Sequence, residues 1–143
     1  LVKALVVFPE SRSVKHNLAL IYDTIGNWKE SDKIYMELIT TDSSDAQAFN
    51  NYAYSLVERN QDIEFSLELA ENAIRLAPKS AAYLDTIGWI YFKMNRLDES
   101  LKYIRESLTI DSENTTIRDH LDTVIKAKAD QNSQNVQQAE NQE

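Results

Sequence analysis

The sequence predicts an all-α protein, a solenoid of stacked antiparallel helix hairpins. Three observations carry that expectation. A pattern of large and small residues recurs at a spacing of 34 residues, the mark of a helical repeat array. Only two Gly and two Pro occur in 143 residues, which favours long helices joined by short turns. No run alternates apolar and polar residues between turn signals, as strands would.

The repeats set out as 12–45, 46–80 and 81–114, the second one residue longer than the others. Leu18-Ala19, Tyr52-Ala53 and Ile87-Gly88 fill one pair of slots, followed three residues later by Tyr22, Leu56 and Tyr91. Ser31, Ser66 and Ser100 share the next small slot; Tyr35, Ala70 and Ile104 follow, then Leu38, Ala73 and Ser107. Leu18/Tyr22, Tyr52/Leu56 and Ile87/Tyr91 are i,i+4 pairs, so each lies on one helix face. The small Ala19, Ala53 and Gly88 let the second helix of the hairpin approach, and the serines answer them from that helix. Bulky neighbours then fill the seam between successive hairpins.

This pattern resembles the tetratricopeptide repeat, whose signature is W-x2-L-G-x2-Y…A-x3-F…P. The resemblance covers 1–129 and implies a right-handed solenoid. The sequence departs from the signature at the Trp slot (Lys15, Phe49, Leu84), at the terminal Pro (kept only as Pro78) and in its serines, where the family prefers Ala. The run from Tyr83 to Tyr91, YLDTIGWIY, is similar to a bacterial subgroup of the family.

The two ends follow from the register. Ala4 stands 34 residues before Leu38 and Pro9 34 before Ser43, so 1–11 is expected to be the second helix of an earlier hairpin, cut from a longer protein. Residues 115–129 repeat a first-helix stripe through Ile117, Leu121, Val124 and Ile125, with Asn114 as N-cap. No second helix is expected after it, so it reads as a capping helix with one polar face. Residues 130–143 are rich in Gln and Asn with Val136 the one large apolar residue, and are expected to be a disordered tail.

Composition narrows the function. A net charge of −8 argues against nucleic acid and anionic membrane surfaces as partners. No apolar run is long enough to span a membrane. Without cysteine there are no disulfides, thiol nucleophiles or Cys-based zinc sites, and either redox compartment is compatible. Neither His16 nor His120 has a second His or Cys at metal-binding spacing; both read as partly exposed structural residues. Nucleophile-elbow and phosphate-loop motifs are missing, and the acidic clusters at the inter-repeat turns lack the pattern of a calcium loop. The sequence therefore predicts no catalytic residue, no metal and no cofactor.

The resemblance implies that the first helix of each hairpin lines a concave groove. In that register the candidate partner-binding residues are Leu20 and Asp23, then Asn50, Tyr54 and Val57, then Asp85, Trp89, Phe92 and Lys93. Leu20, Tyr54 and Trp89 hold equivalent positions, as do Val57 and Phe92, making an apolar stripe with polar neighbours. Trp89 has two readings, a groove anchor or a packing residue over the next first helix. Trp28, at a hairpin turn, reads as packing. Some family members grip a peptide's terminal carboxylate with Lys, Asn and Arg; those slots here hold His16, Leu20, Asn51, Ala82 and Thr86, and only Asn51 matches. The expected function is a non-enzymatic scaffold holding a peptide or protein segment. Two rivals stand beside it: self-association through an apolar N-terminal edge (Leu1, Leu5, Phe8), giving a homo-oligomer, and an accessory repeat domain of a larger enzyme or assembly protein.

Overall fold

A computed structural model describes residues 11–142, which form seven helices and no strand. They are α1 (Arg12–Thr24), α2 (Trp28–Thr41), α3 (Ala46–Glu58), α4 (Ile63–Leu76), α5 (Ala81–Lys93), α6 (Leu97–Ile110) and α7 (Thr115–Glu140). Expectations for the leading half-hairpin and its self-association edge fall on residues outside this range.

Polar side chains start most of these helices. Ser11, Asp45, Asp62, Ser80 and Asn114 each accept a hydrogen bond from the amide three residues on, at 3.4, 3.0, 3.2, 3.3 and 3.1 Å. Each satisfies one of the amide donors that a helix start leaves open. The first helix of every hairpin also stops in one way. Gly26, Asn60 and Asn95 take the left-handed conformation, with φ of 78°, 52° and 58°. The next amide then bonds back five residues: Asn27 to Tyr22, Gln61 to Leu56 and Arg96 to Tyr91, at 2.8, 2.9 and 2.9 Å. That is a Schellman closure, which tolerates Gly best and Asn next.

The serines of the small slots are fully buried and none is left unsatisfied. Ser31 donates to the Trp28 carbonyl at 3.2 Å and Ser66 to the Ile63 carbonyl at 2.7 Å. Ser100 instead crosses the hairpin to the Gly88 carbonyl at 2.7 Å, and Ser107 reaches the Ala81 carbonyl at 2.6 Å. A hydroxyl so bonded leaves no unsatisfied polar group where the family prefers Ala, and at Ser100 and Ser107 it adds a link between the helices.

The chain divides into two compact units at Ala77/Pro78. In the first, α1 pairs with α2 and α3 with α4. Leu18, Ala19, Tyr35, Leu38, Phe49, Tyr52, Leu56 and Leu69 are buried, and Tyr52 stacks on Tyr35 at 5.5 Å and meets Phe65 edge-on at 5.7 Å. Burial, helped by the carboxylates of Asp23 and Asp32, pushes the Tyr35 phenol far above its ordinary range, so it stays neutral.

In the second unit α5 packs on α6, and α7 covers both. Leu84, Ile87, Ile90, Ile104, Ile117 and Val124 are buried, with Tyr91 stacked on Tyr103 at 5.6 Å. Helix α7 differs from the expectation in its buried stripe and in its length. Ile125, placed by sequence in the buried stripe, is 44% exposed. The helix also continues to Glu140 instead of giving way to a disordered tail after 129. Its packed part, anchored by Ile117 and Val124, nucleates the helix. Beyond it each residue adds only a propagation step, and the segment holds Ala, Gln and Glu with no Gly or Pro to stop it.

Candidate partner-binding surface

In the first unit, the first helices α1 and α3 leave Leu20, Ile21 and Tyr54 in the open, and two of these, Leu20 and Tyr54, were candidates. Leu20 is 41% and Tyr54 37% exposed. Asp23 is half-buried nearby and accepts the Ser55 hydroxyl at 2.5 Å. Asp23, Trp28, Tyr54, Ser55, Glu58 and Arg59 enclose a recess of about 200 Å³. Trp28 was expected to pack; it is 46% exposed. As the first residue of α2 it has no preceding helical turn to cover it. Arg59 lies over its ring at 5.4 Å from the centroid and pairs with Asp32.

Two other candidates of this unit do not face solvent. Val57 is fully buried and offers nothing to a partner, because it falls on the side of α3 that enters the core. Asn50 is 8% exposed, and its Oδ1 has no hydrogen-bond partner among the described residues.

At the other end of α1, Asp45 gathers charges across the hairpins. Arg12 Nη2 lies 2.5 Å and His16 Nε2 2.8 Å from Asp45 Oδ2, while Oδ1 caps α3. Burial acts to raise the Asp45 pKa, but the Arg12 guanidinium, the Ala48 amide and His16 outweigh it and hold the carboxyl below the ordinary 3.8. A depressed carboxyl contributes stability above its unfolded pKa, and that contribution is lost as pH falls through the folded value. Stability should therefore decline below about pH 4. Asp45→Asn keeps the cap and removes the charge, so it should cost about 1 kcal/mol at neutral pH and flatten this acid limb. Urea midpoints between neutral and acid pH measure both; an unchanged acid limb in the variant rules Asp45 out as its source.

The second unit places its candidates in one cluster. Asp85 is 7% exposed, and both its oxygens lie near His120 Nδ1, at 3.0 and 2.9 Å. Asp85 is therefore a buried support and not an exposed rim residue. The His120 ring stacks on Trp89 with centroids 4.1 Å apart, Phe92 stacks on Trp89 at 4.7 Å, and Lys93 Nζ stands 5.5 Å from the Trp89 centroid. Trp89 and Phe92 are half-buried and Lys93 exposed. His120 was expected to be a partly exposed structural residue, with no partner named. Its partner lies 35 residues back, one repeat length and one residue away, a signal the register itself contained.

These hairpins can be compared with known proteins. The tetratricopeptide repeat family model matches residues 13–45 and 81–114. The chain is a tetratricopeptide-repeat protein. It is 25% identical over 101 residues to the TPR repeat-containing protein PA4667 of Pseudomonas aeruginosa, covering 71% of this chain and 17% of that one. It is 27% identical over 109 residues to the type IV pilus assembly protein PilF of the same organism, covering 76% of this chain and 43% of that one. The chain thus spans less than half the length of either relative. Among solved structures, the first TPR of Spaghetti (RPAP3), bound to the HSP90 peptide SRMEEVD, superposes with a TM-score of 0.75 at 17% identity, covering 81% of this chain and 91% of that one. Identity that low speaks to fold alone, the all-α solenoid class. The tetratricopeptide fold points to a protein–protein interaction scaffold. Among the described residues, no helix is long and apolar enough to cross a membrane.

Proposed function

We propose that this tetratricopeptide-repeat protein is a non-enzymatic scaffold that holds a peptide or protein segment against its first helices. In the first unit the contact surface is Leu20, Asp23 and Tyr54; in the second it is Trp89, Phe92 and Lys93. The observation that carries the reading is the exposure of Leu20 and Tyr54, large apolar residues at equivalent repeat positions, beside a recess rimmed by acids. Exposed aromatic and aliphatic anchors with polar neighbours are what binding hot spots are made of. A peptide-bound structural neighbour and a pilus assembly relative support this use of the fold. That neighbour's ligand is acidic, whereas four of the five carboxylate-clamp slots here hold other residues, and the chain carries −8. The ligand of this chain is therefore of different chemistry.

Selection of random linear peptides on the protein tests the proposal. Enriched peptides should bind, and Leu20→Ala with Tyr54→Ala should weaken them by about tenfold or more, consistent with losing a hot spot. The unfolding free energy in urea should fall by no more than about 2 kcal/mol, because both side chains are more than a third exposed, so the variant stays folded where binding is measured. Failure to enrich any peptide, or binding indifferent to the double substitution, overturns it.

A further inference from the structure

We infer that the outer face of α1, which carries Ile21 and Ile25, is a docking surface for a further helical hairpin of the same repeat type. That hairpin is supplied by the protein's own chain upstream of Leu1 and is apolar where it meets the two isoleucines. This continuation of the array is independent of the scaffold reading above.

Each unit contains one seam between successive repeats, and both seams use the same positions. Counted from the start of its repeat, Ser55 is residue 10 and Arg59 residue 14 of the second. Both meet the hairpin before: the Ser55 hydroxyl donates to Asp23 at 2.5 Å, and Arg59 pairs with Asp32 and lies over Trp28. Asp23, Trp28 and Asp32 are residues 12, 17 and 21 of that hairpin. The second unit builds its seam from apolar groups. Val124, residue 10 counted from Thr115, is fully buried in a cluster with Leu97, and Phe92 and Leu101 pack against that cluster. Phe92, Leu97 and Leu101 are again residues 12, 17 and 21 of their repeat. Lys128, residue 14 of this last unit, reaches back to Asp98 at 3.1 Å. The two sides of a seam therefore match in character. Asp faces Ser and Arg in the first unit, and Phe and Leu face Val in the second. A mismatch would bury a carboxylate against hydrocarbon, which is strongly unfavourable.

In the first repeat, residues 10 and 14 are Ile21 and Ile25, 41% and 68% exposed. Ser55 and Val124 at the same place are 4% and 0% exposed, so the position is a buried one wherever a hairpin precedes it. Ile21 and Ile25 are an i,i+4 pair and form one apolar face. By the matching rule their mates are apolar side chains at residues 12, 17 and 21 of a preceding hairpin. Those positions stand one repeat length before Asp23, Trp28 and Asp32, upstream of Leu1. A second copy of the chain fits poorly, because its terminal helix α7 carries the exposed Lys126 at residue 12 and runs on as a single helix. Both bacterial relatives extend well beyond the matched part, with room for such a hairpin.

The sequence has no cysteine, so Ile25→Cys introduces a single thiol at an exposed position. Its alkylation rate, read by mass at that residue, is compared between the 143-residue chain and the natural chain that extends upstream. Ile110→Cys, at an exposed position of the second unit, is the control. The upstream extension should slow alkylation at position 25 by about tenfold or more, because a thiol packed in a seam is out of reach of the reagent, and leave position 110 unchanged. The extension should also add helical ellipticity in the far ultraviolet. Equal rates at position 25 in the two chains overturn the docking surface, as does slowing without added helix. Acidic residues one repeat length before Asp23 and Asp32 overturn the apolar match. If alkylation at position 25 already slows in the 143-residue chain as its concentration rises, a second copy covers the face and the upstream hairpin is the wrong occupant.

Discussion

Replacing Gly88 by alanine should destabilise the protein by about 1–3 kcal/mol, although alanine is the better helix former. A Cβ built on Gly88 would lie 2.5 Å from Ile104 Cγ1 and 3.2 Å from the Ile104 backbone nitrogen. The first atom is near the root of a fully buried side chain and the second is backbone, so neither can swing aside. Helix α6 must move off α5, and the Ser100 hydroxyl, 2.7 Å from the Gly88 carbonyl, moves with it. Intrinsic propensity would favour alanine by up to ~1 kcal/mol, and the overlap is expected to exceed that. Thermal unfolding should show a Tm lower by about 3–10 °C. A second background makes the cause visible. Ile104→Ala removes the side-chain overlap at Cγ1 and leaves the 3.2 Å approach to the backbone nitrogen, which a shift of a few tenths of an ångström relieves; by itself it costs about 2–5 kcal/mol through the cavity it leaves. On that background Gly88→Ala should be neutral or stabilising, so its sign inverts. Equal costs on both backgrounds would falsify the close-approach account.

The fold was legible because repetition multiplies weak signals. One apolar-small pair says little, but Leu18-Ala19, Tyr52-Ala53 and Ile87-Gly88 in one register specify the same hairpin packing three times. The left-handed turns follow the same logic, since Gly26, Asn60 and Asn95 are the residue types that a Schellman closure selects, although only their alignment in the structure shows it. The surface was less legible, because register gives a position on a helix and not its cover. Val57 and Phe92 share a slot, yet Val57 is fully buried and Phe92 is stacked on Trp89. Asp85 looked like a groove acid until His120 was found against it. Trp28 looked like packing, but what stands over it is Arg59, distant in sequence. The end of α7 was misjudged for another reason. A lack of buried apolar surface argues against an independent fold, but not against the extension of a helix that is already nucleated.

Trp89→Ala separates the two readings that the sequence left open for this residue. The indole lies between Phe92, on its own helix, and His120 on α7, with ring centroids 4.7 and 4.1 Å away. His120 is in turn fixed by Asp85, so α7 is tied to α5 by one hydrogen-bonded link, Asp85–His120, and one stacked link, His120–Trp89, which Phe92 backs from within α5. Removing the indole should cost about 2–3 kcal/mol, less than for a fully buried Trp because the ring is partly solvated. A double-mutant cycle with His120→Ala should return a coupling of about 0.5–1.5 kcal/mol, the worth of a stacked aromatic pair beyond its area. Trp89→Phe should recover much of the loss, since a flat ring still reaches His120. Urea unfolding of the four forms gives these numbers, and binding of the selected peptides to the same variants gives the other half of the test. If stability stays within about 0.5 kcal/mol while peptide affinity collapses, Trp89 is a binding anchor alone and the strut from α5 to α7 is unnecessary. If both fall, and the phenylalanine variant restores stability but not affinity, one indole serves both roles: its stacked surface holds the last helix and its exposed part meets the partner. Such sharing has a physical logic, because an anchor already fixed on two sides loses little side-chain entropy when a partner docks.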